Sequence, residues 1–437
     1  MIDRTAEWLA GAAGGTLASG ETVTPGPARA VVDTRELRPG DLFVGLPGSR
    51  LDGGNLAREA LEAGAWGVLV APEHAPGEGV VVTAPDPLAA LQRLARSWRR
   101  EMGAHVVGIT GSTGKTSTKD ILAGLLAGRV RAHASRQNLN TEIGLPLSLL
   151  EAPRGTDVVV LEMAMRGEGQ IAELVAIAEP DVGVIVNVGP VHLEILGTVE
   201  RVAAAKAELI RDLRPGAACV LPAGESLLDA HRRDDLDTWT FGPAGEVHLL
   251  SYDAGRAEVE ARQQRIELDL PYAEPHNLLN TLAAVAAARA LGVPVGGRVD
   301  VHFSSLRGQV VELQGGVTVV NDCYNANPMS MRAALDHLAD SPADRRIAVL
   351  GTMAELGADS AGFHQQVGRL AAERGIDVLV TVGEEAVAYV EAFEGEAHQV
   401  ATPEEAGALL EEIARPGDRV LVKGSRSAGL ERVLAAA

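Results

Sequence analysis

Short β-branched apolar runs recur along this 437-residue chain and alternate with Ala/Leu-rich stretches of helical period. The runs are Val68–Ala71, Val80–Thr83, Val106–Thr110, Val158–Glu162, Val182–Val188, Val317–Asn321, Ile347–Leu350, Val378–Val382 and Val420–Val422. Apolar strands separated by helices predict an α/β fold with largely parallel sheets. Pro85–Pro87 precedes a helix predicted over Leu88–Arg100, and Gly315–Gly316 interrupts the pattern before the Val317 strand. Such breakers place boundaries near 84 and 315 and predict domains at 1–84, 85–314 and 315–437. Three is also the number a chain of this length suggests, at about 150 residues per domain. No repeat or low-complexity tract disturbs the alternation.

Composition narrows the function classes. Apolar residues make up 46% of the chain, enough for cores of ordinary size, and the formal charge of −20 is spread rather than blocked. That balance disfavours a nucleic-acid or anionic-membrane surface, and 3% aromatics leave little for base stacking. The first 15 residues lack a signal-peptide run, and no stretch reaches the roughly 18 apolar residues of a membrane span, so a cytoplasmic protein without membrane insertion is expected; a monomer is a separate expectation. Cys219 and Cys323 lie far apart without metal-ligand spacing and are expected to be reduced core residues. Only four of the 39 basic residues are lysine: Lys115, Lys119, Lys206 and Lys423. Where arginine supplies nearly every positive charge, the remaining lysines mark places that need a slim ammonium or a neutral amine.

Two of them fall in the strongest local signal, where the strand Val106–Thr110 runs into Gly111-Ser112-Thr113-Gly114-Lys115-Thr116-Ser117 and then into a helix. Strand, glycine loop and helix form a phosphate cradle: backbone N–H groups and the helix N-terminus face the phosphates, Lys115 meets the outer ones and Thr116 can ligate Mg²⁺. The strict eight-residue pattern is not met, because Ile109 stands where its first glycine would be. Lys119, one turn on, is expected to be a solvated helix lysine. Glu162 ends one strand and His192 follows another, so both belong at the carboxyl edge of a parallel sheet, where a carboxylate and an imidazole can share a Mg²⁺. Lys206, in Val-Ala-Ala-Ala-Lys-Ala-Glu-Leu, is by itself an ordinary surface helix lysine.

Together these segments resemble the ATP-dependent amide ligases of bacterial peptidoglycan synthesis, the Mur ligase family. The resemblance runs nearly the whole length, from Asp33-Thr-Arg-Glu-Leu-Arg-Pro-Gly-Asp through Asn138-Leu-Asn-Thr-Glu-Ile-Gly and His276-Asn-Leu-Leu-Asn. It continues in Asn321-Asp-Cys-Tyr-Asn-Ala-Asn-Pro-Met-Ser-Met, Gly351-Thr-Met-Ala-Glu-Leu-Gly, His364-Gln-Gln-Val-Gly and Val422-Lys-Gly-Ser-Arg-Ser. The Tyr-Asn-Ala-Asn-Pro and Met-Ala-Glu-Leu-Gly segments point to the branch that joins D-alanyl-D-alanine to UDP-N-acetylmuramoyl-tripeptide through an acyl phosphate, releasing ADP and phosphate. The fold implied is a central P-loop-type, mostly parallel sheet flanked by an N-terminal α/β substrate domain and a C-terminal Rossmann-like domain.

The resemblance also assigns roles. Thr34 and Arg35 meet the UDP end, and Asn138, Asn140 and Thr141 belong to the substrate site. The loop residues Gly111 to Ser117 hold ATP. Thr116, Glu162, His192 and Lys206 form the metal set for two Mg²⁺, with Lys206 carbamylated. His276, Asn277 and Asn280 lie near adenine, Arg307 near the transferred phosphate and Asp322 at the ribose. Asn325, Asn327, Lys423, Ser425 and Arg426 complete the site from the third domain. The chain departs from the family in three places: Asp52-Gly-Gly-Asn-Leu replaces Asp-Gly-His-Asp-Phe, Leu306-Arg307 replaces Gly-Arg, and Pro222-Ala-Gly replaces Asn-Ala-Asp. The rival readings are a sister ligase, including a folylpolyglutamate-type enzyme, and a nucleotide-binding regulatory protein without chemistry. The Tyr324–Met331 segment speaks against the first, and the joint presence of Lys115, Glu162, His192 and Lys206 against the second.

Overall fold

The computed structural model describes residues 1–20, 25–136, 139–313 and 315–435. Three sheets of five, ten and six strands follow one another along the chain. The β-branched runs named above lie in them, except that the run expected over Val182–Val188 leaves its strand after Ile185; Val158–Glu162, Val182–Ile185 and Val378–Val382 are buried throughout. Strands apolar on both faces need cover on both, and helices supply it. Pro87–Met102 is one such helix; Asp86 caps it by accepting from the Ala89 amide, and Gly103 ends it in the left-handed conformation. Its buried Leu91, Leu94 and Trp98 join the core that runs under the first and second sheets. Burying each leucine contributes roughly 1.5–3 kcal/mol.

Within the central sheet, Ala132–Ala134, Val158–Glu162, His105–Thr110, Val182–Ile185, Ala218–Pro222 and Asp237–Phe241 lie side by side and parallel. The chain leaves His105–Thr110 first to one side and later to the other, which makes its carboxyl end a topological switch point. Below this edge the helix Lys115–Leu126 packs against Pro275–Ala290. The latter is buried continuously from Leu282 to Ala288 through alanines that let the two backbones approach.

The sheet then extends through Val247–Asp253, Arg256–Ala261 and Gln264–Asp269, which pair antiparallel. The last two alternate buried and charged or polar residues, so a search for continuous apolar runs passes over them. Arg262 and Gln263, both with positive φ, make the two-residue turn whose twist suits such a hairpin.

In the third sheet, Gln309–Leu313 pairs antiparallel with Val317–Asn321. The break at 315 thus lies in the turn of a hairpin, and the third sheet begins at Gln309. Both cysteines are buried and free, and burial pushes the Cys219 thiol up to about 12. Lys119 overturns its expectation. It is 3% exposed, donates to Asp120 at 2.6 Å, and Asp120 in turn accepts from the Ser304 amide and hydroxyl. Asp120 thereby ties the phosphate-loop helix to Ser304 in the segment leaving the central domain, and Lys119 pairs with that carboxylate. Among the described residues, no helix is long and apolar enough to cross a membrane.

Candidate active site

The switch point opens into a crevice of about 740 Å³ between the central sheet and the third. Its floor is the loop Gly111 to Ser117. Gly114 sits at φ 78°, and a Cβ there would stand 2.6 Å from the Asn280 Oδ1, so both conformation and space require glycine. Asn187, just past the strand Val182–Ile185, holds the loop's shape: its Oδ1 accepts from the Thr113 amide at 3.0 Å and its Nδ2 donates to the Thr113 carbonyl at 3.2 Å. The Ser112 hydroxyl closes a second pair with the amide and carbonyl of Gly189. The Lys115 ammonium folds back on the Gly111 carbonyl at 2.8 Å. Burial lowers its pKa, the Glu162 carboxylate opposes that fall and Arg307 adds to it. A cation so placed gains from an anion brought beside it.

Glu162 is 2% exposed and receives the Thr116 hydroxyl at 2.6 Å and the Asn140 amide at 2.9 Å on its two oxygens. A buried carboxylate beside a hydroxyl at a phosphate loop offers the hard oxygen donors that Mg²⁺ prefers. Among the described residues no three His, Cys, Asp or Glu side chains cluster to hold a metal by themselves. The donor set therefore fits an ion completed by substrate phosphates, as is usual for Mg²⁺ at nucleotide sites.

Lys206 does not stand on the surface as its helix context alone suggests. On the helix Val199–Asp212 it is 2% exposed, lines the crevice, and has no hydrogen-bond or ion-pair partner among the described residues. Burial, with Lys115 nearby, pushes its pKa well below the ordinary lysine value. Its neighbour across the crevice, His192, is likewise lowered, chiefly by burial, while Glu355 pulls the other way.

The third domain supplies the opposite wall. Asn327 caps the helix Pro328–Asp340 in a capping box with Ser330 and donates across the crevice to the Ser112 carbonyl at 3.3 Å. Arg307 lies over the Tyr324 ring, 4.1 Å from its centroid. Leu306, where the family resemblance leads one to expect glycine, adopts φ 62° and bears the strain of that conformation, about 1–2 kcal/mol. His276, Asn277, Asn280, Asp322, Asn325 and Thr141 all face the same crevice. Lys423 does too, but its ammonium is committed to the Asp322 carboxylate at 2.5 Å and the Asn325 carbonyl at 3.1 Å, within its own domain.

Four expected site residues lie elsewhere. Ser425, 3% exposed, accepts from the Ala354 amide and serves the loop that carries Glu355. Arg426 pairs loosely with Glu431 at 3.4 Å and points to solvent. Thr34 and Arg35 belong to the first domain, outside the crevice. Arg35 donates to both Asp33 oxygens and holds that carboxyl down at about 2. Asn138 lies outside the described residues. The departure at Gly53-Gly54 also finds a physical account: the ring of His74 fills the space over Gly54, where a Cβ would come within 2.3 Å of it, and His74 Nε2 lies 3.1 Å from Asp52. An imidazole thus returns to this spot from another segment. Glu355 and Asn187 escaped the assignment of site roles. Only the Met-Ala-Glu-Leu-Gly segment hinted at the first, and the Val-Asn-Val strand end at the second.

The family model of the Mur ligase middle domain matches residues 109–288, and that of the Mur ligase glutamate ligase domain matches 306–426. UDP-N-acetylmuramoyl-tripeptide–D-alanyl-D-alanine ligase of Synechocystis sp. is 37% identical over 415 residues, covering 92% of this chain and 90% of the relative. The crystal structure of MurF from Acinetobacter baumannii superposes with a TM-score of 0.88 at 28% identity, covering 99% of this chain and 98% of that one. That of MurF from Thermotoga maritima in complex with ADP does so with 0.81 at 33% identity, covering 93% and 96%. Likeness of this extent in both sequence and fold shows that the chain belongs to the Mur ligase family, in the branch of the UDP-N-acetylmuramoyl-tripeptide–D-alanyl-D-alanine ligases.

Proposed function

We propose that this chain joins D-alanyl-D-alanine to UDP-N-acetylmuramoyl-tripeptide with ATP as the energy source, releasing ADP and phosphate. The observation that carries the reading is the convergence of Lys115, the Thr116–Glu162 pair, His192 and Lys206 at one sheet edge beneath a third domain. In the first step a peptide carboxylate oxygen attacks the γ-phosphorus and the bond to ADP breaks, giving an acyl phosphate. The free amine of D-alanyl-D-alanine then attacks the acyl carbon and phosphate leaves with the bonding pair. Catalysis of such a transfer is mostly positioning and electrostatic stabilisation.

The loop amides from Gly111 to Ser117 and the Lys115 ammonium cradle the β- and γ-phosphates. Arg307, stacked on Tyr324, meets the moving phosphoryl group. His276, Asn277 and Asn280 face the base, Asp322 the ribose, and Thr34 with Arg35 the distant UDP group. Thr116, Glu162 and His192 would hold Mg²⁺, which supplies charge neutralisation on the phosphates when bound. Lys206 is suited to carbamylation. Its depressed pKa leaves more of the neutral amine that attacks CO₂, giving a carbamate and a released proton, and turns a cation into an anionic oxygen donor.

Phosphate release measured with D-alanyl-D-alanine against single amino acids and glutamate tests the reading. Release that needs both the UDP-linked tripeptide and D-alanyl-D-alanine is expected. Equal release with a single amino acid, or none with any acceptor, would overturn it. The signal of a ¹³C-labelled lysine carbamate under labelled CO₂, lost in Lys206→Arg, tests the modification separately.

A further inference from the structure

His192 and Glu355 come from different domains, 163 residues apart, and meet at 2.5 Å between Nδ1 and Oε2. Both are among the few non-glycine residues with positive φ, 54° and 63°. Left-handed backbone costs about 1–2 kcal/mol per residue, and such strain persists where the surroundings impose it. Here they do so from both sides. The His192 carbonyl accepts from the Ile195 and Leu196 amides at the start of the turn Leu193–Leu196. On the facing loop, His364 accepts from the Met353 amide at 3.0 Å and Ser425 from the Ala354 amide at 2.9 Å. These bonds leave the next side chain, Glu355, directed across the interface. Its carbonyl also accepts from the Glu194 amide at 3.3 Å, and its second oxygen lies 3.4 Å from Arg166.

We infer that Glu355 is a positioning residue of the third domain that fixes the ring and tautomer of His192. A carboxylate only accepts, so the proton of this bond sits on Nδ1, and in the neutral ring the lone pair is left on Nε2, the nitrogen not engaged by Glu355. Because the partner lies on the other domain, His192 is held in that form only when the third domain closes. The third domain thereby takes part in completing the phosphate site at the point where it meets the central domain. The inference rests on the role given to His192 above.

The test uses the full chain with ¹⁵N-labelled histidine, ADP and Mg²⁺, the His192 signals being assigned by their loss in His192→Ala. In the parent, His192 is expected as the Nδ1–H tautomer. Glu355→Ala is expected to shift it toward Nε2–H and to lower kcat about 10–100-fold, the range for loss of such a supporting partner. The KM for the UDP-linked substrate should stay within about twofold, since that end binds remotely and uniformly. Glu355→Gln keeps an accepting oxygen and is expected to retain the tautomer and more than about a tenth of the parental kcat. A Glu355→Ala enzyme with parental tautomer and kcat overturns the inference, as does equal impairment of Ala and Gln variants with the tautomer unchanged. If His192→Ala is itself fully active, the role of His192 fails first. If His192→Ala is dead while Glu355→Ala is normal, only the present inference falls.

Discussion

Lys206→Met is expected to make the ligand-free protein more stable while abolishing turnover. The lysine is 2% exposed, and its amine has neither a hydrogen bond nor an ion pair among the described residues. Leaving a buried polar group unpaired costs about 1–3 kcal/mol, and the amine opens on the crevice, so the lower part of that range, about 1–2 kcal/mol, applies. Methionine has nearly the same length and no polar atom to satisfy. At roughly 2–4 °C per kcal/mol for a domain of about 200 residues, Tm should rise by about 2–8 °C. The sign of its pH dependence also follows. A lysine whose folded pKa is depressed binds fewer protons in the native state than in the unfolded one, between that depressed value and the ordinary one of about 10.4. Parental stability therefore rises with pH across this window, and the advantage of Lys206→Met shrinks as pH climbs toward 10. Scanning calorimetry of parent and variant between pH 7 and 10, in CO₂-free buffer without Mg²⁺, reads both effects. An unchanged or lower Tm at pH 7, or an advantage that grows with pH, would refute the reasoning.

Lys115→Arg should lose nearly all activity despite the retained charge, because the planar guanidinium does not fit where a slim ammonium sits 2.8 Å from the Gly111 carbonyl; ADP affinity by calorimetry and kcat by phosphate release should both fall. Gly114→Ala, forced to φ 78° with its Cβ 2.6 Å from Asn280, should cost about 2–4 kcal/mol in denaturant unfolding and lower kcat at least about 100-fold by shifting the loop. Combined Thr34→Ala and Arg35→Ala should raise the KM for the UDP-linked substrate far more than that for ATP, since these residues stand outside the crevice; equal effects would remove them from substrate binding.

Much of this protein is written in local pattern. Apolar runs such as Val158–Glu162 and Val378–Val382 can be stable only as doubly covered strands, so the α/β class and the parallel pairing follow from the sequence. The phosphate loop is equally local, because its chemistry lies in consecutive backbone amides opening one helix. Strands that alternate, such as Gln264–Asp269, and the strand Gln309–Leu313 before the 315 break depend on the partner they pair with, and no run of residues announces it. Side-chain environment is likewise set by what comes from far along the chain. Lys119 and Lys206 both look like solvated helix lysines, yet one is held by Asp120, itself bound by Ser304, and the other is covered by the facing crevice walls. The same holds for the imidazole over Gly54, which comes from His74, and for Glu355, which reaches His192 across a domain boundary. Sequence thus determined the backbone architecture and the chemical groups available. Burial, pairing and the charge state of those groups depend on distances between segments, and these only the tertiary structure decided.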